Sequence, residues 1–216
     1  MVDQNDLQAK PLTAATARDR IERIEQWADL ATLIKALTEN PSLRGIVMGY
    51  VAEDKFERLV LSTLSGATRI SKDPDHKKSK SDRRFVLGGR EYTIQLKSIQ
   101  TTSLEDQEGR VVARVQNDAS DRRKVTLPTG KVIETTCYLV GEYDILAVPL
   151  YPFTGNWADY AYRRNRDLTR SSFRNYSKEE QECLLSTTEK INWPLDPAWT
   201  MELRPLLDKS IGKPAG

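Results

Sequence analysis

The stretch Phe85-Val86-Leu87-Gly88-Gly89-Arg90-Glu91-Tyr92-Thr93-Ile94-Gln95-Leu96-Lys97 constrains the fold more than any other. Phe85 and Leu87 stand two apart before the Gly-Gly pair, and Tyr92, Ile94 and Leu96 stand two apart after it. Alternate side chains of a strand share a face, and paired glycines suit a tight hairpin turn. The spacing predicts a β-hairpin, running on to about Gln100, with one face in a core. Gln95 and Lys97 then point the same way, opposite to Leu96. A hairpin folds back on itself, so Asp82 at the start of the first strand comes near Gln95 and Lys97 at the end of the second. An acid, a side-chain carbonyl and an amine meet at one place.

Around this hairpin the chain reads as mixed α/β. Residues 1–14 look frayed. Apolar residues recur at helical spacing from Thr16 to Thr38, including Ile21, Ile24, Trp27, Leu30, Ile34 and Leu37, and Asn40-Pro41 stops that helix. Ser42 can cap a second helix to about Leu64, with an apolar face of Leu43, Ile46, Val47, Tyr50, Val51, Leu59, Val60 and Leu64. Glu53 and Glu57 lie one turn apart on it. Arg110–Val115, Lys124–Leu127 and Val132–Leu139 are strand-like, and Tyr143–Tyr151 is an apolar run suited to a strand covered on both faces. Trp157–Tyr162 reads as a further strand. Ser177-x-x-Glu180 is a capping box opening a helix of about ten residues, and a short helix is expected near Met201–Asp208.

Composition narrows the chemistry. The chain has 216 residues, 30% charged and 38% hydrophobic, with a formal net charge of +2. One histidine, His76, excludes a His-rich metal site, so any metal is expected to be a hard, oxygen-bound ion such as Mg2+, with Mn2+ as a substitute. Cys137 and Cys183 are far apart in sequence and read as a reduced pair. No apolar run is long enough to span a bilayer, and the N-terminus lacks the apolar core of a signal peptide, so a cytoplasmic protein with no membrane partner is expected.

Phosphodiester hydrolysis needs an activated water and a neutralised anionic transition state. Asp82 would be the central metal ligand, joined by the side-chain oxygen of Gln95 and the backbone carbonyl of Leu96. Lys97 would orient water or stabilise charge on the phosphate. Glu53 or Glu57 could contribute from the preceding helix. The pattern Asp82…Gln95-Leu96-Lys97, after a helix bearing Glu53, resembles the PD-(D/E)xK nuclease superfamily. Asp118-Ala119-Ser120-Asp121-Arg122-Arg123, Gly141-Glu142-Tyr143-Asp144-Ile145-Leu146-Ala147-Val148 and Thr154-Gly155-Asn156-Trp157 resemble a group of bacterial restriction-endonuclease-like proteins.

The resemblance implies a restriction-endonuclease-like mixed central β-sheet flanked by helices, magnesium dependence and DNA cleavage. It places the nuclease core at 42–175 of a single domain, 15–216, with an N-terminal helical extension at 15–40 and a C-terminal helical cover at 176–216. Of the two helix acids, Glu53 occupies the family-like position. Ser81 replaces the proline of the motif, and Gln95 replaces the second acid. Gln95 still offers a carbonyl oxygen but no charge, which opens a second reading: a catalytically inactive nuclease-fold DNA-binding or adaptor protein.

Each residue also has a structural reading. Lys97 could end a strand at the surface, and Glu53 and Glu57 could mark a solvated helix face. His76 reads as a loop residue. Asp144 reads as a capping or paired acid, and Asp118 and Asp121 as loop-pinning acids. For DNA contact the candidates are Lys77, Lys78, Lys80, Arg83, Arg84, Arg163, Arg164, Asn165, Arg166 and Arg170. Arginine pairs with phosphate or guanine, and asparagine can read adenine. Cutting both strands needs two sites, so a homodimer or a partner-assisted assembly is expected, with the N-terminal helices, Thr16 to Leu64, as candidates for the interface. A restriction or phage-defence role would bring a cognate DNA methyltransferase as partner.

Overall fold

The computed structural model describes residues 23, 28–70 and 81–208. Lys72, His76, Lys77, Lys78 and Lys80 lie outside them. The chain divides into two compact units, residues 1–44 and 45–216. In the first, helix α1 (Leu30–Glu39) starts at Asp29, whose carboxylate accepts from the Thr32 N–H at 2.7 Å. Asp29 itself has extended backbone, so the helix expected from Thr16 to Thr38 is not continuous through it; residues 16–22 and 24–27 of that span lie outside the described residues. Asn40 closes it by donating from backbone and side chain to the Ala36 carbonyl.

Helix α2 (Pro41–Leu59) begins on a proline rather than on the expected Ser42 cap. Proline suits a first helical position because its missing N–H would have no partner there. The helix ends at Leu59, five residues short of the expected Leu64, and a 3-10 turn follows at Leu61–Thr63. Its buried residues are Ala52 and Phe56, one turn apart. The expected apolar face differs: Leu43, Ile46, Tyr50 and Leu59 are exposed.

Among the described residues, the second unit holds ten strands. They are β1 (Ala67–Arg69), β2 (Arg83–Leu87), β3 (Arg90–Leu96), β4 (Glu105–Gln107), β5 (Arg110–Gln116), β6 (Asp118–Thr126), β7 (Val132–Cys137), β8 (Ile145–Pro149), β9 (Tyr160–Arg164) and β10 (Thr188–Trp193). A mixed five-stranded sheet has the order β1-β2-β3-β8-β9, with β3 and β8 parallel and the other pairs antiparallel. The hairpin forms as the spacing predicts. Gly88 and Gly89 both have positive φ, and Phe85 stacks on its cross-strand partner Tyr92.

Every residue of β8 is buried, as its unbroken apolar run implies. Ile145 and Ala147 face one core with Phe56, Phe85, Ile94, Tyr160 and Leu207. Leu146 and Val148 face another with Val115, Tyr143, Ile191 and Trp199. Helices α2 and α5 (Arg204–Asp208) thus supply Phe56 and Leu207 to the first face. Val115 and Ile191, on the second, come from a three-stranded antiparallel sheet, β10-β5-β4. Parallel strands require a long crossover. Here it carries β4–β7 rather than a helix, with β6 and β7 forming their own hairpin.

The remaining helices are short: α3 (Tyr151–Thr154) and α4 (Lys178–Cys183). The capping box at Ser177 and Glu180 is formed, yet α4 has six residues rather than about ten. The expected C-terminal helical cover instead contains β10, which pairs with β5. The last sheet strand starts at Tyr160, not Trp157. Asp118 and Asp121 lie in β6 rather than in a loop, because that strand begins earlier than its apolar residues suggest. Cys137 and Cys183 are free thiols. Among the described residues, no helix is long and apolar enough to cross a membrane.

Candidate active site

Asp82 precedes β2, and its N–H donates to the Ile94 carbonyl at 3.1 Å, prolonging the β2–β3 ladder. That register sets its carboxylate against the end of β3. Oδ2 accepts from Gln95 Nε2 at 2.5 Å and from the Leu96 N–H at 2.7 Å. The hairpin therefore brings Asp82, Gln95 and Leu96 into direct contact, although it is the Leu96 amide that touches the acid. Burial pushes the Asp82 carboxyl up to about 6, and the negative charge of Glu53 adds to the rise.

Lys97 directs Nζ to the Asp118 carbonyl at 2.6 Å and lies 5.4 Å from the centre of the Tyr138 ring. Burial pulls its ammonium below the ordinary lysine value, while Asp82, Asp118 and Glu53 oppose that shift. Lys97 thus belongs to the acid cluster electrostatically while its amine is parked on a backbone oxygen.

Glu53 reaches this neighbourhood from α2. Arg83 joins helix to hairpin: it donates to Glu53 Oε2 at 2.9 Å, to the Glu53 carbonyl at 2.8 Å and to the Asp82 carbonyl at 2.7 Å, and lies 3.1 Å from Glu57. Glu57 also pairs with Arg69. Glu53, and not Glu57, is among the charges acting on Asp82.

Asp82 and Gln95 line a cleft of about 260 Å³ with Ser81, Ala119, Arg123, Tyr138 and Glu142. Arg123 is gripped by both carboxylate oxygens of Glu142, at 2.5 and 2.6 Å, and lies 5.3 Å from the Tyr138 ring centre. Glu142 is itself fixed by the Leu139 N–H at 2.8 Å. The wall facing Asp82 is therefore an oriented guanidinium against an aromatic ring. Sequence reasoning assigned none of these three a role. Gly141-Glu142 before the apolar run was the available signal for Glu142, while Arg123 and Tyr138 reach the cleft only through the β6–β7 hairpin.

The DNA-contact candidates separate. Arg83 is 7% exposed and committed to the helix acids, so it faces the interior and not a ligand. Asn165 is 1% exposed: it accepts from the Gly141 N–H and donates to the Leu139 carbonyl, so it is a loop clamp and does not read bases. Arg163 pairs with buried Glu189 and donates to the Asp167 carbonyl. Arg164 donates to the Leu206 carbonyl, and Arg170 to those of Leu168 and Arg166. Arg84 pairs with Glu91 at 2.6 Å. Arg166 is exposed. Asp144 is a paired acid as expected, accepting from Thr93 and Arg90.

As a cation site, the cleft offers hard oxygen from the Asp82 carboxylate and the amide oxygen of Gln95; Glu142 also lines it but is committed to Arg123, and Glu53 lies outside the lining, close enough for its charge to act on Asp82. The described residues contain no group of three or more His, Cys, Asp or Glu side chains placed to hold a metal. The set thus falls one acid short and depends on Gln95. Its nitrogen faces Asp82, which follows from the hydrogen-bond network of an uncharged amide beside a carboxylate. Turning that amide presents the oxygen instead.

No protein-family model and no curated protein sequence matches this chain. Among solved structures, the bacterial homing endonuclease I-Ssp6803I aligns with a TM-score of 0.32 and 15% sequence identity, covering 61% of this chain and 83% of that one.

Proposed function

We propose that this chain is a Mg2+-dependent DNA endonuclease of the PD-(D/E)xK type, with Gln95 in place of the second acid. The observation that carries the reading is the contact of Asp82 with Gln95 at 2.5 Å, beside Lys97 and within the field of Glu53. Asp82 is held protonated to unusually high pH because it is buried next to another negative charge. A divalent cation offsets both effects. Asp82, Glu53, the Gln95 oxygen and the Leu96 carbonyl would hold it. When bound, it supplies Lewis-acid activation of water and of the phosphate.

The chain's own residues supply the rest. Lys97 leaves the Asp118 carbonyl to place positive charge at the scissile phosphate. Arg123, oriented by Glu142, offers guanidinium donors from the opposite wall. Duplex cleavage by a homodimer, and a restriction or phage-defence role with a cognate methyltransferase, belong to the same reading. The test is plasmid nicking with Mg2+ or Mn2+ by the native chain, Asp82→Ala and Lys97→Ala. Nicking at the native rate by both variants overturns the site.

One observation favours a second reading, a catalytically inactive DNA-binding or adaptor protein. Without a cation, Asp82 is satisfied by Gln95 and Leu96, and Glu53 by Arg83. Calorimetry with Mn2+ separates the two: the active site binds the ion in a manner that depends on Asp82, and the inactive one does not.

A further inference from the structure

We propose that the groove between the β6–β7 hairpin and the Ser171–Tyr176 loop is a nucleotide-binding site, separate from the Asp82 cleft. The groove has a volume of about 760 Å³, within the range of small-ligand sites. Arg122, Thr136, Ser172, Phe173, Arg174 and Asn175 are among the residues lining it, and no acid is.

Three features point to a nucleotide. First, both guanidiniums are uncommitted. Arg122 and Arg174 are exposed and make no hydrogen bond or ion pair among the described residues. Arg83, Arg84, Arg123, Arg163, Arg164 and Arg170 are held by protein acids or carbonyls, and exposed Arg110 shares its groove with Asp106 and Glu108, whereas Arg122 and Arg174 share one that no acid lines. Two free arginines on one acid-free groove suit a phosphate.

Second, Phe173 is 57% exposed, an unusual state for a phenyl ring, and Tyr176 braces it at a centroid distance of 5.4 Å. The loop behind the ring is tied down by hydrogen bonds. Gln181 donates to the Phe173 and Tyr176 carbonyls at 3.0 and 3.1 Å, and the Tyr176 hydroxyl donates to Thr135 Oγ1 at 2.7 Å. A fixed, exposed ring beside two free arginines is a stacking platform for a base next to a phosphate clamp. Third, Thr136, Ser172 and Asn175 make no side-chain hydrogen bond among the described residues, leaving polar groups for sugar or base edges.

Position gives the groove its meaning. Arg123 lines the Asp82 cleft while Arg122 lines this groove, and Tyr138 and Cys137 divide in the same way. The β6–β7 hairpin is the wall shared by both. A strand held at Phe173 is one hairpin away from Asp82. The inference goes beyond the cleavage reading and does not need it.

The ligand is a nucleotide, either free or as a unit of a strand. The experiment is fluorescence anisotropy with a short single-stranded thymidine oligonucleotide, beside calorimetry with thymidine monophosphate, both in EDTA at low salt. The EDTA removes any contribution from metal at Asp82, so failure here leaves the cleavage reading untouched. Oligonucleotide binding is expected to weaken about tenfold or more in Arg122→Ala/Arg174→Ala. Phe173→Ala is expected to weaken it about fivefold to a hundredfold. Because Phe173 is a surface ring, that variant keeps the test alive should the double variant fold poorly. Lys190→Ala, an exposed cation outside the groove, should bind normally. Saturable binding of the monophosphate that both groove variants lose identifies a free nucleotide as the ligand; oligonucleotide binding alone, with the same losses, identifies a strand. Unaltered binding in the groove variants, or none by the native chain to either probe, overturns the site.

Discussion

Gln95 donates its side-chain nitrogen to Asp82 Oδ2 at 2.5 Å, and this bond governs how the cleft answers a cation. Gln95→Glu replaces a donor with a second carboxylate. In EDTA near pH 8 the variant should be less stable by about 1–3 kcal/mol, from the lost bond and the added repulsion. With Mn2+ the same change completes the acid set, so the rise in melting temperature on adding Mn2+ should exceed that of the native chain. Thermal melts with and without the ion check this. An identical metal response in the two proteins would falsify the assignment of Gln95 to the cation site.

Arg83 is the hinge pin between helix α2 and the hairpin. Glu53 and Glu57 are only 20% and 21% exposed at the side chain, so removing Arg83 takes from both half-buried acids the cation they share, with Glu57 keeping Arg69. Arg83→Met should cost about 3 kcal/mol, the lower end of the range for breaking a buried pair. Urea denaturation of the two proteins at neutral pH measures it. A loss below about 1 kcal/mol would show that the pair contributes as little as an exposed one.

Much of this was legible from period and turn chemistry. The Gly88-Gly89 turn, the inward set Phe85, Leu87, Tyr92, Ile94 and Leu96, and the buried β8 run follow from local pattern. The contact of Asp82 with Gln95 follows because hairpin pairing is itself local. What failed to show depends on distant partners. Tyr50 looks like a core residue by spacing, yet the stripe of α2 that meets the sheet runs through Ala52 and Phe56. β10 is a strand because β5 pairs with it, across more than seventy residues of sequence. Basic residues were misread for a related reason. A run of arginines after a strand looks like a phosphate clamp, but Arg163 is consumed by Glu189, which lies on that unforeseen strand.

The raised Asp82 carboxyl makes stability depend on pH. Its folded value is about 6, against an ordinary 3.8. Between those values the folded chain keeps a proton that the unfolded chain releases, so the stabilisation is fully present below about pH 4 and is lost as pH rises through 6. The difference corresponds to roughly 3 kcal/mol. Glu189 shifts in the same direction, so the comparison must be with Asp82→Asn, which removes the titrating group alone. Urea titrations across this window should show the native chain losing stability relative to Asp82→Asn as pH rises. Parallel curves would rule out the buried, Glu53-coupled state of this acid.

Lys97 tests chemistry apart from folding. Among the described residues its amine is anchored to the Asp118 carbonyl alone and set against the Tyr138 ring, and burial disfavours its charge. Lys97→Met keeps the length of the side chain and removes a poorly solvated cation. Stability should change by less than about 1.5 kcal/mol, whereas nicking should fall about a hundredfold to a thousandfold, the loss typical of removing one preorganised electrostatic group. Nicking rates and Mn2+ calorimetry together decide it: ion binding should survive. Nicking that persists at the native rate would return Lys97 to a strand-end role.

Asn165 separates a loop clamp from a base reader. Its side chain bridges the Gly141 N–H and the Leu139 carbonyl, and Leu139 and Gly141 flank the turn that delivers Glu142 to Arg123. Replacing it with alanine takes the side-chain acceptor from the Gly141 N–H and one of two donors from the Leu139 carbonyl, which keeps the Glu142 N–H, at about 1 kcal/mol per lost bond. Asn165→Ala should therefore lower the melting temperature and loosen the Glu142–Arg123 wall, reducing nicking of every DNA sequence alike. A base reader behaves in the opposite way: its loss relaxes preference at one position and leaves stability intact. Melting curves paired with cleavage of a randomised duplex library distinguish these outcomes, and a position-specific change at unaltered stability would overturn the clamp.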